Sequence, residues 1–384
     1  MKIALVHLRH AQTGGTERFL NHLARHLAVL GHDVAIVCRR HAAAPHPAVR
    51  FEVLRSPALG ASWRLLAFGR AVEAHVARGG YDVVLGLGKT WTHDVVRLGG
   101  GLQATYLRRA HEETLTPGKR LLGAGRLKHR LALAIEKRAL APGAARRVIV
   151  NSEMVRSDVL ATYPLPPERV AVIHNGVDLE LFHPRRRAQE GAGLRATLGL
   201  DARAPVVLFL GTGYGRKGLD VLLAAFARVL RSRPDARLLV AGYDSGRARY
   251  EALAERLGLG PAARFLGGRS DPEACFAAAD AYALPTRYDP FANTTLEALA
   301  SGVPVVTTAA NGGAEVLAGP DAGAVVEPEA GALAEALLPL LAPEGRARHA
   351  AAARACAERH SIESKLALTT EVLEEAAAVG ARPR

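Results

Sequence analysis

The chain is predicted to fold as two doubly wound α/β domains. Three observations carry this. A length of 384 residues is too great for one ordinary domain. In both halves, short uncharged runs of Val, Ile, Leu and Ala alternate with stretches of helical periodicity. In both halves a glycine-rich turn, Gly14-Gly15 and Gly211-Thr212-Gly213, follows a leading apolar run.

In the first half, 2–7, 33–37, 82–87 and 147–151 read as parallel strands buried on both faces. Between the first two, 16–30 places Phe19, Leu20, Leu23, Leu27 and Leu30 at helical spacing and stops at Gly31. In the second half, 205–211, 237–242, 264–267, 281–285 and 304–308 read as strands, with helices over 219–230, 247–257, 294–301 and 330–341. The joint is expected near 177–193, where HPRRRAQEGAG lacks apolar periodicity. The expected domains are therefore 1–183 and 184–361. A last helix, 362–380, would reach back to the first domain. Doubly wound sheets bind ligands beyond the carboxyl ends of their strands. The simplest arrangement faces the two sets of ends across a cleft.

Composition narrows the function. No run of about 18 uncharged apolar residues occurs, so no spanning helix is expected. The start, MKIALVHLRHAQTGG, reads as a buried strand and not as a signal peptide. Cys38, Cys275 and Cys356 are far apart, with neither metal-ligand spacing nor an even framework, so the cytoplasm is the default compartment. The net charge of +13 belongs to the first half: residues 1–187 hold 29 Lys and Arg against 14 Asp and Glu, an excess of 15. That asymmetry points to an anionic partner, or else to a chain that writes Arg wherever a cation is tolerated, with 43 Arg to 7 Lys. Nucleic acid is disfavoured, because only 5% of residues are aromatic and no stacking surface is evident. An NAD-type fingerprint fails as well: after Gly211 and Gly213, position 216 is Arg.

The most informative stretch is PTRYDPFANTTLEALASGVPVVTT, 285–308. A strand ends at Pro285, a loop carries Asp289, and a helix beginning near Asn293 and Thr294 carries Glu297 eight residues later. Two carboxylates so placed can accept hydrogen bonds from hydroxyl pairs at two points of one ligand. Between them the free N–H groups of a helix start form an anion site. Alone, the pair also reads as a turn Asp and a solvated helix Glu. Arg216 and Lys217, just before the next predicted helix, could neutralise a diphosphate, and read alone are a basic loop. Gly14 and Gly15 permit close backbone approach to a ligand, or form a plain turn.

These segments resemble the retaining GT-B glycosyltransferases of family 4. The signature is an acid, seven residues, a Glu, and an Ala-Ser-Gly-x-Pro-Val-Val tail, here Asp289, Glu297 and ALASGVPVV. FLGTGYGRKGLDVLLAAF, Gly14-Gly15 with Glu17, VIVNSEMVRSDV and RVAVIHNGVDLELFHP match in the same order. The closest flavour is the lipopolysaccharide-core glucosyltransferase type. The first acid is usually Glu, so Asp289 is a departure with shorter reach. The resemblance implies two Rossmann-like domains, an enzyme, and a nucleotide-sugar donor held by Gly14, Gly15, Arg216, Lys217, Arg269, Asp289, Asn293, Thr294 and Glu297. Asp289 would contact the sugar and Glu297 the ribose. Asp289, Lys217 and Asp94 would be catalytic. No cofactor is implied beyond the co-substrate, with a UDP-sugar the first choice. No Asp-x-Asp pair occurs, so a bridging metal is not expected.

The acceptor side is less defined. KTWTHDVVRLGGGLQATYLRRAHEE, 89–113, offers His93, Asp94, Arg97 and the Gly99–Gly101 run. Gln103 stands where the family would suggest His. Asp94 reads either as an acid near the reacting sugar or as a strand or cap residue. Residues 106–138 are basic and amphipathic, which suits an anionic membrane surface and equally a core-packed helix with a solvated basic face. The expected partners are thus a nucleotide sugar, a saccharide or glycolipid acceptor, and an anionic membrane at the inner face of the plasma membrane. A GT-B protein that binds sugar nucleotides without transfer is the alternative.

Overall fold

The computed structural model describes residues 1–11, 14–56, 60–109 and 126–379. It divides into two compact units: the first holds the described parts of 1–108 and 126–174 with 363–379, the second Arg109 and Asn175–Ile362. The change of unit at 174/175 falls nine residues before the joint expected from composition.

The first unit is built on a seven-stranded parallel sheet of order β3-β2-β1-β4-β5-β6-β7. Its strands are β1 (Lys2–Val6), β2 (Asp33–Cys38), β3 (Arg50–Val53), β4 (Val83–Gly86), β5 (Val95–Arg97), β6 (Arg147–Val150) and β7 (Val170–Val172). Ile3 pairs with Val34 on one side of β1 and with Val83 on the other. Ile3–Val6 are fully buried, as an uncharged run covered on both faces should be. Helices α1 (Gly15–Val29), α2 (Gly60–Gly79), α3 (Gln103–Arg109), α4 (Arg126–Ala139) and α5 (Glu153–Thr162) make the connections. Leu20, Leu23, Ala24 and Leu27 form the buried stripe of α1.

The second unit has a six-stranded parallel sheet, β10-β9-β8-β11-β12-β13. Its strands are β8 (Val206–Leu210), β9 (Arg237–Ala241), β10 (Ala263–Gly267), β11 (Ala281–Leu284), β12 (Val305–Thr307) and β13 (Gly323–Val325). Its helices are α6 (Glu190–Thr197), α7 (Leu219–Ser232), α8 (Arg247–Arg256), α9 (Pro272–Ala278), α10 (Asn293–Ala300), α11 (Ala330–Leu340) and α12 (Arg346–Glu358). Leu219, Leu222, Leu223, Phe226 and Val229 bury one face of α7.

The last helix, α13 (Ile362–Ala378), belongs to the first unit and buries Leu366, Leu373 and Ala376. The Arg146 guanidinium donates to the Ala376 carbonyl at 2.5 Å. In each sheet the strand order reverses beside the first strand, between β1 and β4 and between β8 and β11. Such reversals open crevices at the carboxyl edge.

Candidate functional site

In the second unit the chain leaves β8 into the loop 211–218, which packs without slack. Gly213 (φ +79°) donates its N–H to the Tyr243 carbonyl, and the buried Tyr214 donates its hydroxyl to the Gly242 carbonyl at 3.0 Å. Gly218 has φ +75°, and a Cβ there would lie 1.9 Å from the Pro285 oxygen, so only glycine fits. This loop delivers Arg216 and Lys217 to the carboxyl edge. The turn after β11 delivers Asp289, whose N–H donates to the Ala310 carbonyl and whose carbonyl accepts from Gly312 N–H, each at 2.9 Å.

Arg216 and Lys217 converge on one oxygen. Lys217 Nζ donates to Asp289 Oδ2 at 2.5 Å, and Arg216 Nη1 donates to the same oxygen at 2.9 Å and to the Tyr288 carbonyl at 2.8 Å. Lys217 is 7% exposed and Asp289 8%. Burial opposes the charge on both. It lowers the Lys217 pKa, against the pull of Asp289. For Asp289 the two cations outweigh burial and hold the carboxyl below its usual range.

Helix α10 supplies the rest. No side chain caps its start; Thr295 N–H already donates to the Ala292 carbonyl at 2.9 Å, which leaves the capacity for an anion with the N–H groups of Asn293 and Thr294. Asn293 Oδ1 accepts from Asn175 Nδ2 at 2.5 Å, and Thr294 Oγ1 accepts from the Tyr282 hydroxyl at 2.7 Å. Glu297 is buried and contributes to the field at Lys217. Arg269 follows β10 and pairs with Asp271 through two bonds of 2.9 and 2.5 Å.

The first unit has its own cavity, about 490 Å³, at the carboxyl ends of β1, β4 and β5, where its strand order reverses. His7, Glu17, Lys89, Arg97, Gln103 and Tyr106 are among its lining residues. Lys89 Nζ donates to Gln103 Oε1 at 2.5 Å. His7 Nδ1 lies 3.0 Å from the Leu87 carbonyl oxygen, and burial lowers the His7 pKa. The Arg97 guanidinium stacks over Phe19 at 3.8 Å, and burial brings its pKa down to about 10. Gly14 and Gly15 lie in this unit, at the start of α1, with Gly14 at φ +112°. The Glu17 carboxylate folds back over Gly14.

Asp94 is placed elsewhere. It precedes β5 at the amino edge of the sheet, accepts from Val84 N–H at 2.9 Å, and lies 3.6 Å from Arg146 Nε. It is absent from the cavity lining, so its geometry is that of a brace between strands. Asp94→Ala should cost about 1–3 kcal/mol of stability, because a buried N–H loses its acceptor. It should leave nucleotide affinity unchanged; calorimetric melting and titration check both.

Sequence reasoning passed over two residues that shape the site. Asn311 is fully buried. Its amide oxygen accepts from Ala292 and Gly313 N–H, and its amide nitrogen donates to Thr295 and Thr307 hydroxyls, which fixes the start of α10. Its Asn-Gly dipeptide was a visible turn signal. Arg287 braces the 211–218 loop and left no such signal.

Of the basic stretch at 106–138, residues 110–125, with Leu121 and Leu122, lie outside the described residues. The described part, α4, buries Ala132, Ile135 and Ala139, while Lys128, Arg130, Lys137 and Arg138 are exposed. Among the described residues no helix is long and apolar enough to cross a membrane.

Two doubly wound parallel-sheet units, each with polar and charged groups at its strand-order reversal, define the GT-B class of nucleotide-sugar folds. The chain belongs to the family 4, group 1 glycosyltransferases. Residues 193–356 match the family described as Glycosyl transferases group 1, and residues 13–181 match Glycosyltransferase Family 4. D-inositol 3-phosphate glycosyltransferase of Mycobacterium marinum is 30% identical over 331 residues, 78% of this chain and 67% of that protein. Its counterpart from Mycobacterium sp. strain KMS is 39% identical over 175 residues, 44% of this chain and 38% of the relative's length. Among solved structures, WaaG, a glycosyltransferase involved in lipopolysaccharide biosynthesis, superposes with a TM-score of 0.80 at 24% identity, over 97% of this chain and 99% of that one. Anabaena HepE in complex with UDP-glucose superposes at 0.72 and 21% identity, over 98% of this chain and 100% of that one.

Proposed function

We propose that the protein is a retaining, metal-independent hexosyltransferase that moves a sugar from a nucleoside-diphosphate sugar, UDP-linked first, to a hydroxyl of a saccharide or lipid-linked saccharide of the cell envelope. The observation that carries this reading is the convergence of Arg216 and Lys217 on Asp289 beside the uncapped start of α10. Two cations and a row of N–H groups suit a diphosphate; two carboxylates eight residues apart suit hydroxyls. In the proposed step the bond from the anomeric carbon to the diphosphate oxygen breaks. A bond from that carbon to the acceptor oxygen forms on the same face, and the acceptor proton passes to the departing diphosphate. Lys217 and Arg216 offset the charge that grows on the leaving group.

The cavity of the first unit, with Lys89 and Gln103 at its wall, is the proposed acceptor site. Anionic vesicles are a proposed docking surface for the basic first half; sedimentation with them at low salt tests it, and a protein left in the supernatant removes it.

The test of the reading is a thermal-shift screen with UDP, ADP, GDP, TDP and NAD in chelator, followed by hydrolysis of the matching nucleotide sugar. A ligand at 100 times its Kd adds about 2.7 kcal/mol. One nucleoside diphosphate should shift the melt without metal, and its sugar should be consumed. A shift without turnover would favour the non-catalytic binder; a shift with NAD alone would overturn the reading. Glu297→Ala should weaken the nucleotide that binds by about 1–3 kcal/mol, through ribose hydroxyls left unpaired. Unchanged affinity in titration calorimetry would take Glu297 out of the site.

A further inference from the structure

Arg216 and Lys217 sit in a loop with no regular structure, so something must hold them at the range and angle that chemistry on a diphosphate requires. The turn after β11 does so from behind. Thr286 Oγ1 donates to the Arg216 carbonyl at 3.0 Å, and Arg287 N–H donates to the same carbonyl at 2.9 Å. The Arg287 guanidinium then reaches past the backbone. Nη1 donates to the Gly215 carbonyl at 2.6 Å, and the fork closes on Asp220 of α7, Nη1 to Oδ1 at 2.9 Å and Nη2 to Oδ2 at 2.8 Å.

One side chain therefore ties three elements: the cationic loop, the first turn of α7, and the turn that carries Asp289 two residues on. Burial opposes ionisation of Asp220, but Arg287 holds its carboxyl below the usual range, so the pair is charged at neutral pH. The position of Asp220 in the first turn of α7 adds the helix dipole in the same sense. The planar guanidinium can grip a carboxylate with two parallel bonds while donating to a carbonyl; a lysine ammonium is a point donor and cannot reproduce that fork.

We infer that Arg287, locked by Asp220, is a positioning residue for transfer: it sets the register of Arg216 and Lys217 against Asp289, and so the place where the leaving diphosphate is stabilised. This rests on the proposed function. Arg287 bonds to the Gly215 carbonyl and to Asp220, so the role inferred for it is exerted through the loop backbone.

The experiment compares wild type, Arg287→Lys, Asp220→Ala and Arg287→Ala, each with its melting temperature, its affinity for the nucleoside diphosphate that shifts the wild type, and steady-state kinetics on the matching nucleotide sugar. Misplacement of about 1 Å at a reacting centre costs on the order of 100-fold in rate. Arg287→Lys should therefore lower kcat by about 10- to 100-fold. It should change the diphosphate Kd and the donor KM by less than about threefold, because binding tolerates a shift that chemistry does not. Asp220→Ala should move kcat in the same direction. Millimolar guanidinium, but not ammonium, should restore part of the turnover of Arg287→Ala. Equal kcat in folded Arg287→Lys and wild type overturns the inference, as does a fall confined to melting temperature. Should Arg287→Lys fail to fold, Asp220→Ala, which keeps the bond to Gly215, decides by the same split. A wild type that binds no nucleoside diphosphate would instead overturn the proposed function.

Discussion

Lys217→Ala should reduce turnover by about 100- to 1,000-fold, the range for deleting one electrostatic stabiliser of a transition state. It should reduce nucleoside-diphosphate affinity by far less. The asymmetry follows from the charges of the site. In the free protein Lys217 is already engaged, donating a hydrogen bond to Asp289 Oδ2 in a site almost closed to water. Ground-state binding of a diphosphate exchanges one anionic partner for another and gains little. As the glycosidic bond breaks, charge accumulates on the departing oxygen, and a buried cation acts on it without solvent screening. Stability should fall only modestly, because Arg216 still neutralises Asp289. Lys217→Arg should not restore the rate. A Cβ added at Gly211 would meet the lysine stem at 3.5 Å, so little slack remains beside it for the longer and wider guanidinium. Steady-state and single-turnover kinetics with the matching nucleotide sugar check this. A wild-type rate with a lowered melting temperature would make Lys217 a structural residue.

How much of this was legible depends on chain length within each element. Strands of four to six residues that are Val- and Ile-rich, such as β1, β2, β8 and β9, announced themselves because burial on both faces demands an uninterrupted apolar run. β5, β7 and β13 have three residues each, too few for any period, and were not foreseen; β12 is as short and was legible only because its Val-Val pair follows the Ser-Gly-Val-Pro turn. Missing β5 left Asp94 undecided between an acid near the reacting sugar and a strand residue. Without the strand beginning at Val95, nothing showed that Asp94 stands at the amino edge while Gly99–Gly101 stand at the carboxyl edge. Arg216, Lys217, Asp289 and Glu297 were singled out by motif. That Arg216 and Lys217 meet on one oxygen of Asp289 was not readable, because it depends on two loops 72 residues apart in sequence. Arg287 was silent for the same reason: an arginine in an arginine-rich chain has no signature until Asp220 is seen opposite it.

Asp289→Asn should separate stability from binding in opposite directions. Its side chain neutralises two buried or half-buried cations, and breaking such a pair by removing one partner costs about 3–5 kcal/mol, less where an amide oxygen remains to accept. The unliganded melt should therefore fall. The increment gained on adding a nucleoside diphosphate should rise, since the ligand no longer competes with a carboxylate for Lys217 and Arg216. Turnover should drop, with no charge left to orient sugar hydroxyls. The acid limb supplies an independent check. The folded pKa of Asp289 is depressed, so its contribution is complete above the unfolded value of about 3.9 and is lost as pH falls through the folded value. Wild-type stability should thus decline below about pH 4, and more shallowly in Asp289→Asn. A residual slope should persist, because the Asp220 carboxyl is depressed in the same window by Arg287. Asp289→Glu adds one methylene to a residue whose backbone is fixed on both sides by the 310–312 segment. The longer carboxylate must leave the shared contact with the two cations and extend past it. This variant should bind the nucleoside diphosphate at least as well as wild type while changing which donor sugar is turned over fastest. Identical donor preference in the two proteins would mean that Asp289 sets the charge of the site and not the choice of sugar.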